Sequence, residues 1–197
     1  MTQVIRKMKD VMIDIETVGT QPYSAIVSIG AVFFDPFTGE TGRTFYDVIS
    51  LDSCIKHGLV MDPSTIQWWI KQDKEAAKVF FGFKRNLPDV MTSFTEFLTA
   101  EGITKKSVKP WGNGASFDIT LLECAYKVVG QEHPWEFWNV RDVRTVVAMG
   151  EGISDAKNTI PRAGTYHNAL DDSVHQVKYV SEIMRVLREG KEVNPGM

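Results

Sequence analysis

The sequence is poor in cysteine and has no long uninterrupted apolar run. Its two cysteines, Cys54 and Cys124, form no CxxC pair, and two thiols cannot build a disulfide framework. We interpret both as buried, reduced and structural. No stretch is apolar enough for a transmembrane helix, and the N-terminus, MTQVIRKMKD, lacks the apolar segment and cleavage site of a signal peptide. These absences make a cytoplasmic protein with no membrane partner the default expectation.

The chain also lacks the positive charge of a protein that wraps long nucleic acid. Its formal net charge is −3, which argues against binding by charge alone but still allows an enzyme that grips a few nucleotides. The 197 residues are 43% hydrophobic and 24% charged. This composition is typical of one globular domain with a sizeable core.

Strand patterns are present in the first quarter of the chain. Residues 10–17, 24–35 and 42–49 favour strands. The second segment is apolar on both sides, which indicates a central position in a sheet. Because the connections are too short for a crossover helix, the three segments are expected to form an antiparallel meander.

Helices and short strands alternate over the rest of the chain. Asp62 is followed by Pro63, which is typical of a helix start. A loop at 150–166 is rich in Gly, Ser, Asp and Pro, and is expected to be mobile. The other predicted segments are a helix beginning near Pro63, a short helix at 74–83, a helix at 88–100, a strand at 107–112, a helix at 119–129, a strand and helix at 137–149, and a last helix ending near Arg188.

Two carboxylates stand close together in the first strand. Asp14 and Glu16 are separated by one residue, and alternate strand residues point to the same face. Two such charges in a half-buried place repel each other and need positive compensation. Hard oxygen ligands of this kind suit Mg²⁺ or Mn²⁺. Taken alone, the pair is also explained by an edge strand with two solvated acids.

Further polar residues stand at predicted element boundaries. Asn113 follows a strand, where it either caps the turn or holds a substrate strand. Asp118 lies in or near the next helix's first turn, where it either favours the helix dipole or serves as a third metal carboxylate. His167 and Asp172 precede the last helix. The histidine there either packs against that helix or acts in catalysis.

Trp68 and Trp69 are adjacent in the helix that begins near Pro63. Neighbouring helix positions point about 100° apart, so one tryptophan is expected in the core and the other at a groove. The functional hypothesis is a stacking surface for a base or sugar. The alternative is that both pack at a domain edge.

These patterns, in this order, resemble the DEDDh branch of the 3′→5′ exonucleases. That family's Asp-x-Glu-Thr motif stands at residues 14–17, and its Asn-x-x-x-Phe-Asp motif at residues 113–118. Its third motif, His followed five positions later by Asp, stands at His167 and Asp172, which makes Asp171 the exposed neighbour. The resemblance covers about residues 9–185. The Trp68–Trp69 segment is similar to that of phage-type exodeoxyribonucleases and related bacterial exoribonucleases.

The resemblance implies an α/β, ribonuclease-H-like fold: a mixed five-stranded sheet flanked by helices, with Asp14 on the central strand. It implies two divalent cations, Mg²⁺ or Mn²⁺, which relieve charge at the attacking and leaving oxygens. The implied metal ligands are Asp14, Glu16, Asp118 and Asp172. His167 matches the general base, for which an unperturbed pKa near ~6.5 is suitable. The implied substrate contacts are Ile15, Thr17, Trp68, Trp69 and Asn113.

The implied reaction releases 5′-mononucleotides from the 3′ end of single-stranded DNA or RNA. The choice between DNA and RNA stays open, because it depends on how the pocket treats the 2′-hydroxyl. We expect residues 1–190 to form a single exonuclease domain and residues 191–197 to fray. Homodimers are common in the family, but these residues do not establish one.

Two rival functions are a phosphatase and a nucleic-acid-binding module. An aspartyl-phosphate phosphatase has an Asp-x-Asp motif, but Glu16 stands where that family needs an aspartate. A nucleic-acid-binding module of the same fold without activity has no need to keep four carboxylates and a histidine. Both are therefore weaker explanations of the sequence than a nuclease.

Overall fold

A five-stranded mixed sheet forms the centre of the computed structural model, which describes residues 7–72 and 74–190. The strands are β1 (Asp10–Thr17), β2 (Ile26–Phe34), β3 (Thr41–Val48), β4 (Lys109–Gly112) and β5 (Arg141–Asp142). Their spatial order is β3-β2-β1-β4-β5. The strand that carries Asp14 and Glu16 is therefore central, as expected.

The sheet is mixed because its two halves are connected differently. β1, β2 and β3 form an antiparallel meander, with Asp14 opposite Gly30. β4 and β5 both run parallel to β1, and each follows a helical connection. The predicted meander and the mixed five-stranded sheet are confirmed. β2 is buried along its whole length, which fits its apolar sequence.

Helices cover both faces of the sheet. They are α1 (Leu51–Lys56), α2 (Pro63–Ile70), α3 (Lys74–Ala77), α4 (Leu87–Thr99), α5 (Ala115–Val128), α6 (Val143–Met149), α7 (Ala156–Thr159) and α8 (Ala169–Glu189). A large apolar cluster joins β1 and β2 to α4 and α5 on one face. A smaller cluster on the other face joins Met12, Val32 and Trp111 to Val143 and α8. The central strands β1 and β2 are thus covered on both sides, whereas the edge strand β3 is partly exposed.

Several predicted bounds differ from the structure. α1 was not predicted, because a six-residue helix capped by Ser50 is too short to show periodicity. The predicted helix at 74–83 is α3 followed by a 3-10 turn, Lys78–Phe80. The loop predicted at 150–166 contains α7. Cys54 is buried as expected, but Cys124 is only half-buried, so that part of the cysteine interpretation is wrong.

Residues 191–197, which were predicted to fray, lie outside the described residues. Within the described part of the chain, no helix has both the length and the apolar character needed to cross a membrane.

Candidate active site

A cavity of about 440 Å³ opens at the carboxyl end of β1. Its wall is built from the ends of β1 and β4, the first turn of α5, the loop before α8 and the first turns of α8. All five predicted catalytic residues line it, although they are far apart in the chain. The predicted residues that line the cavity are Asp14, Ile15, Glu16, Asn113, Asp118, His167 and Asp172.

β1 supplies the first pair of carboxylates through its alternation. Asp14 and Glu16 line the cavity together, and the register of β1 on β2 shifts just after Glu16. The side-chain amide of Gln176 donates a 2.8 Å hydrogen bond from Nε2 to Asp14 Oδ1. This bond joins α8 to the central strand and fixes one oxygen of Asp14.

The turn between β4 and α5 positions Asp118. Gly114 has a φ of 110°, a conformation that only glycine adopts readily, and it lets the chain turn directly into α5. A Cβ on Gly112 would lie 3.1 Å from Asp118 Oδ2, so the carboxylate sits close against the strand end. Asp142 caps α6 and also accepts the Ala115 N–H at 2.6 Å. These contacts hold Asp118 beside β1.

A close approach between α8 and β2 positions Asp172. A Cβ on Gly30 would lie only 2.1 Å from the Ala169 carbonyl carbon, so the first turn of α8 rests directly on the backbone of β2. The Ser173 hydroxyl donates to the Gly30 carbonyl at 3.0 Å. Asn168 caps the helix by accepting two backbone N–H groups. Asp172, in this first turn, therefore lines the same cavity as Asp14.

The loop before α8 presents His167. Its backbone has a φ of 61°, which is uncommon for a residue with a side chain. Asp171 is half-buried and accepts the Thr165 N–H at 2.7 Å, so its description as an exposed neighbour of Asp172 is wrong. Its carboxylate packs beneath Gly164, where a Cβ would lie 2.4 Å away. Asp171 thus stabilises the loop that carries the histidine.

The two tryptophans of α2 have different environments. Trp69 is 4% exposed, and its indole N–H donates to the Thr17 carbonyl at 2.8 Å. Trp68 is 43% exposed and lies edge-on to His167, with 5.0 Å between ring centroids. The structure therefore places Trp69 in the core, and Trp68 is the ring left to contact a ligand. Thr17 is itself buried and donates from Oγ1 to the Gly19 carbonyl.

The carboxylates raise one another's proton affinity. Burial, followed by the charges of Asp118 and Glu16, raises the pKa of Asp14 well above its ordinary value. Burial and the Asp118 charge raise the pKa of Glu16 to about 8. Burial also raises the pKa of Asp118 to about 7, although backbone hydrogen bonds and the charge of Arg144 act against it. The cluster is therefore short of positive charge.

A divalent cation fits this group of residues. One ligand atom each from Glu16, His167 and Asp172 lies within 4.8 Å of the others, and the carboxylates of Asp14 and Asp118 border the same cavity. Oxygen-rich sets of this kind suit Mg²⁺ and Mn²⁺. A cation here would also offset the repulsion that raises the carboxyl pKa values.

Sequence reasoning missed several residues of the cavity wall. His175, Gln176 and Tyr179 lie three, four and seven positions after Asp172, on one helical face, and this spacing was a usable signal. The cations Arg144, Lys157 and Arg162 also line the cavity. No local pattern marks Arg162, because its place depends on how the loop before α8 folds back onto Asp172.

The fold and the carboxylate cavity together define an α/β enzyme of the nuclease class. Residues 9–184 match the family described as the 3′-5′ exoribonuclease Rv2179c-like domain. Because this match spans most of the chain, the protein belongs to that family. The recognised resemblance to the DEDDh exonucleases is thereby confirmed, and the protein is an exonuclease. The family also implies dependence on a divalent metal.

Individual proteins and solved structures are also similar to this chain. The exodeoxyribonuclease of Enterobacteria phage T4 is 28% identical over 191 residues, which cover 85% of this chain and 84% of that protein. E. coli exonuclease I in complex with a dT13 oligonucleotide matches with a TM-score of 0.66 at 12% identity, over 93% of this chain. Exonuclease X in complex with 5′-overhanging duplex DNA matches at 0.55 and 18% identity, over 89% of this chain and 90% of its own.

These structural matches show the fold alone. The chain spans only 42% of exonuclease I, so the activity of that whole protein is not transferred. The expected ribonuclease-H-like α/β fold is confirmed.

Proposed function

We propose that this protein is a divalent-cation-dependent 3′→5′ exonuclease that hydrolyses single-stranded nucleic acid to 5′-mononucleotides. The observation that carries the proposal is the convergence of four carboxylates and a histidine, from three distant segments, on one cavity. Acidic groups buried together are unfavourable unless a cation compensates them. A site that accepts this arrangement is expected to serve phosphodiester chemistry.

The proposed roles follow from the positions of the side chains. Asp14, Glu16, Asp118 and Asp172 would hold two divalent cations, Mg²⁺ or Mn²⁺. Such ions, when bound, activate water and offset charge on the attacking and leaving oxygens. His167 would accept the proton of the attacking water. Its ring is held beside Trp68 on a loop that Asp171 fastens to α8, so the base is placed at the cavity edge.

The substrate end would lie along the wall beside β1 and α2. Ile15 and Asn113 line the cavity and would contact the terminal nucleotide. Thr17, the other proposed contact on β1, is buried at the end of that strand. The exposed ring of Trp68 would stack on a base, and Trp69 would support it from the core. A single-stranded end fits this proposal because a paired end must first be unstacked, at a cost of a few kcal/mol.

The choice between DNA and RNA is open in the proposal. The family description names an exoribonuclease, whereas the phage relative is an exodeoxyribonuclease. A pocket that tells the two apart must contact or exclude the 2′-hydroxyl. We further propose a cytoplasmic location. We also propose a homodimer, which light scattering of the purified protein can test.

The deciding experiment follows mononucleotide release from 5′- and 3′-labelled single-stranded DNA and RNA, with Mg²⁺ or Mn²⁺ and with chelator. Early release of the 3′ label as a 5′-mononucleotide, only with metal, supports the proposal. Early release of the 5′ label would overturn the polarity. Retention of all label by a protein that still binds the oligonucleotide would favour the alternative function, a nucleic-acid-binding module without activity.

A further inference from the structure

Arg162 lines the acidic cavity. It belongs to the loop between α7 and α8 and forms an ion pair with Oδ1 of Asp172. Both side chains are largely buried, at 17% and 13% exposure. The proposed function assigns Asp172 to a cation. Arg162 therefore pairs with a carboxylate that is a proposed metal ligand.

The other contacts of Arg162 are weak or missing. Its guanidinium stacks 4.2 Å from the centre of the Tyr166 ring, and that ring is itself exposed. One amino group reaches the Thr165 carbonyl at 3.4 Å. Its buried Nε has no hydrogen-bond partner among the described residues. A guanidinium has five N–H donors, so Arg162 keeps donor capacity beyond its ion pair with Asp172.

The two other cations of the cavity are engaged differently. Arg144 donates from Nε to the Asn113 carbonyl at 3.1 Å, which attaches it to the β4–α5 turn. Lys157 is exposed on α7. Arg162 is the cavity cation that pairs with a proposed metal ligand. Its charge also lowers the pKa of Asp14 and Glu16, against the larger effect of burial.

A divalent cation and the guanidinium compete for the same carboxylate. Close approach of two positive charges around Asp172 is unfavourable in a partly buried site. When one of them binds, the other is therefore displaced or weakened. The planar guanidinium that is released matches the geometry of a phosphate and can bind it with two parallel hydrogen bonds.

We propose that Arg162 is an exchangeable partner of Asp172. In the cation-free enzyme Arg162 neutralises the Asp172 carboxylate. When a divalent cation binds that carboxylate, Arg162 leaves it and binds the substrate's phosphate. The proposal rests on the proposed function for the identity of that phosphate. The loop between α7 and α8 carries both Arg162 and His167. One segment would therefore supply both the phosphate-binding cation and the proposed base.

The first test measures Mn²⁺ binding by calorimetry, without nucleic acid. Arg162→Ala removes the competitor, so its affinity for Mn²⁺ should rise by about fivefold or more. Arg162→Lys retains a charge and should bind Mn²⁺ nearly as the unaltered protein does. Arg188→Ala is the matched control, because Arg188 stacks 4.4 Å from the Phe37 ring at the other end of α8 and should leave the affinity unchanged.

The second test measures binding of adenosine 5′-monophosphate and of adenosine in saturating Mn²⁺. Arg162→Ala should weaken monophosphate binding by about tenfold, the loss expected for a charged hydrogen bond. Adenosine binding should not change. Arg162→Lys should recover part of the loss, and circular dichroism should show that all variants are folded.

The outcomes separate the two proposals. Unchanged or weaker Mn²⁺ affinity in Arg162→Ala overturns the exchange, whatever the enzyme's activity. Tighter Mn²⁺ binding with unchanged monophosphate affinity overturns the transfer to phosphate. Absence of nuclease activity in the unaltered protein, together with both expected shifts, would refute the proposed function and leave the exchange intact.

Discussion

Asp14 illustrates the conflict between stability and catalysis at the scale of one residue. Its carboxylate shares a cavity with Asp118 and Glu16, and their charges and burial favour its neutral form. Asp14→Asn removes the charge but keeps an oxygen for the Gln176 amide. We expect hydrolysis to fall by about a thousandfold or more, because a proposed cation ligand is lost. We also expect the cation-free variant to gain about 1 kcal/mol in unfolding free energy at pH 8.

Asp10→Asn is the matched control for that substitution. Asp10 lies four residues earlier on β1 and accepts the Trp111 indole N–H at 2.9 Å, a bond that an asparagine oxygen preserves. Rates of oligonucleotide hydrolysis and urea unfolding in chelator provide both readouts. Full activity in Asp14→Asn, or equal loss of activity in Asp10→Asn, would contradict the assignment of the cluster.

Single residues were predictable where spacing alone fixes their direction. Asp14 and Glu16 needed only the two-residue period of a strand. The prediction that Asp171 is exposed is wrong because the His-to-Asp spacing does not show that the chain bends back, so that the Thr165 N–H reaches the Asp171 carboxylate. The ion pair of Arg162 with Asp172 was invisible for the same reason.

α8 depends, as an element, on one glycine of β2. The backbone of Ala169 rests where a Cβ of Gly30 would stand, so neither element can move aside without breaking the sheet or the helix. Gly30→Ala should destabilise the protein by about 3 kcal/mol or more through overpacking. It should also lower activity, because Asp172 and His167 shift with the start of α8. Denaturant unfolding and the hydrolysis assay measure the two effects.

Gly42→Ala serves as the control for Gly30→Ala. Gly42 also has an extended backbone in the sheet, but the nearest atom to its Cβ position is the sulfur of Met8, at 2.9 Å. A flexible side chain can move away, so this substitution should change stability by less than about 1 kcal/mol. Equal effects at the two glycines would show that the contact with α8 does not decide the result.

Substitutions of the two tryptophans of α2 should have separate effects on stability and on substrate binding. Trp69→Ala removes a buried ring and its bond to Thr17, and should cost about 3–5 kcal/mol of stability. Trp68→Ala should cost less than about 1 kcal/mol but raise KM by about tenfold, as expected for a lost base-stacking contact. Phe83, 88% exposed, provides the control Phe83→Ala. A KM for Trp68→Ala equal to that of Phe83→Ala would refute the stacking role.

Elements with strong local signals were predicted within a few residues. α4 (Leu87–Thr99) was expected at 88–100, and α2 begins at the expected proline. α1 and α7 were missed because helices of six and four residues contain too few turns for an apolar period. α8 begins at Ala169, before the predicted start, because Asn168 caps the helix. This cap is harder to recognise in the sequence than an apolar period, because two acidic residues follow it in the first turn.

At the scale of the whole molecule, the active-site cavity is a product of topology. β1 and β4 are parallel and adjacent, so Glu16 and Asn113 emerge at the same sheet edge. The chain then crosses to the other face, where α8 packs on β1 and β2. The resemblance to a known family predicted this convergence. The residues alone did not, because nothing local shows that positions 14 and 172 meet.

The joint titration of the carboxylates should make the stability of the cation-free protein depend on pH. Glu16 and Asp118 have native pKa values of about 8 and about 7, above those of ordinary carboxyl groups, and the pKa of Asp14 is also raised. Between about pH 4 and pH 8, the native state therefore binds protons that the unfolded chain has released. Stability is fully present below the ordinary carboxyl pKa and is lost as pH rises through the native values.

We therefore expect the melting temperature in chelator to fall by on the order of 5 °C or more between pH 5 and pH 8.5. Excess Mg²⁺ should reduce this fall, because a cation favours the ionised carboxylates and binds the native state alone. Glu16→Gln should flatten the chelator curve, whereas Glu189→Gln, at the exposed end of α8, should not. A melting temperature that rises with pH in chelator would mean that the acids are already compensated within the protein, and the physical case for a cation site in this cavity would fail.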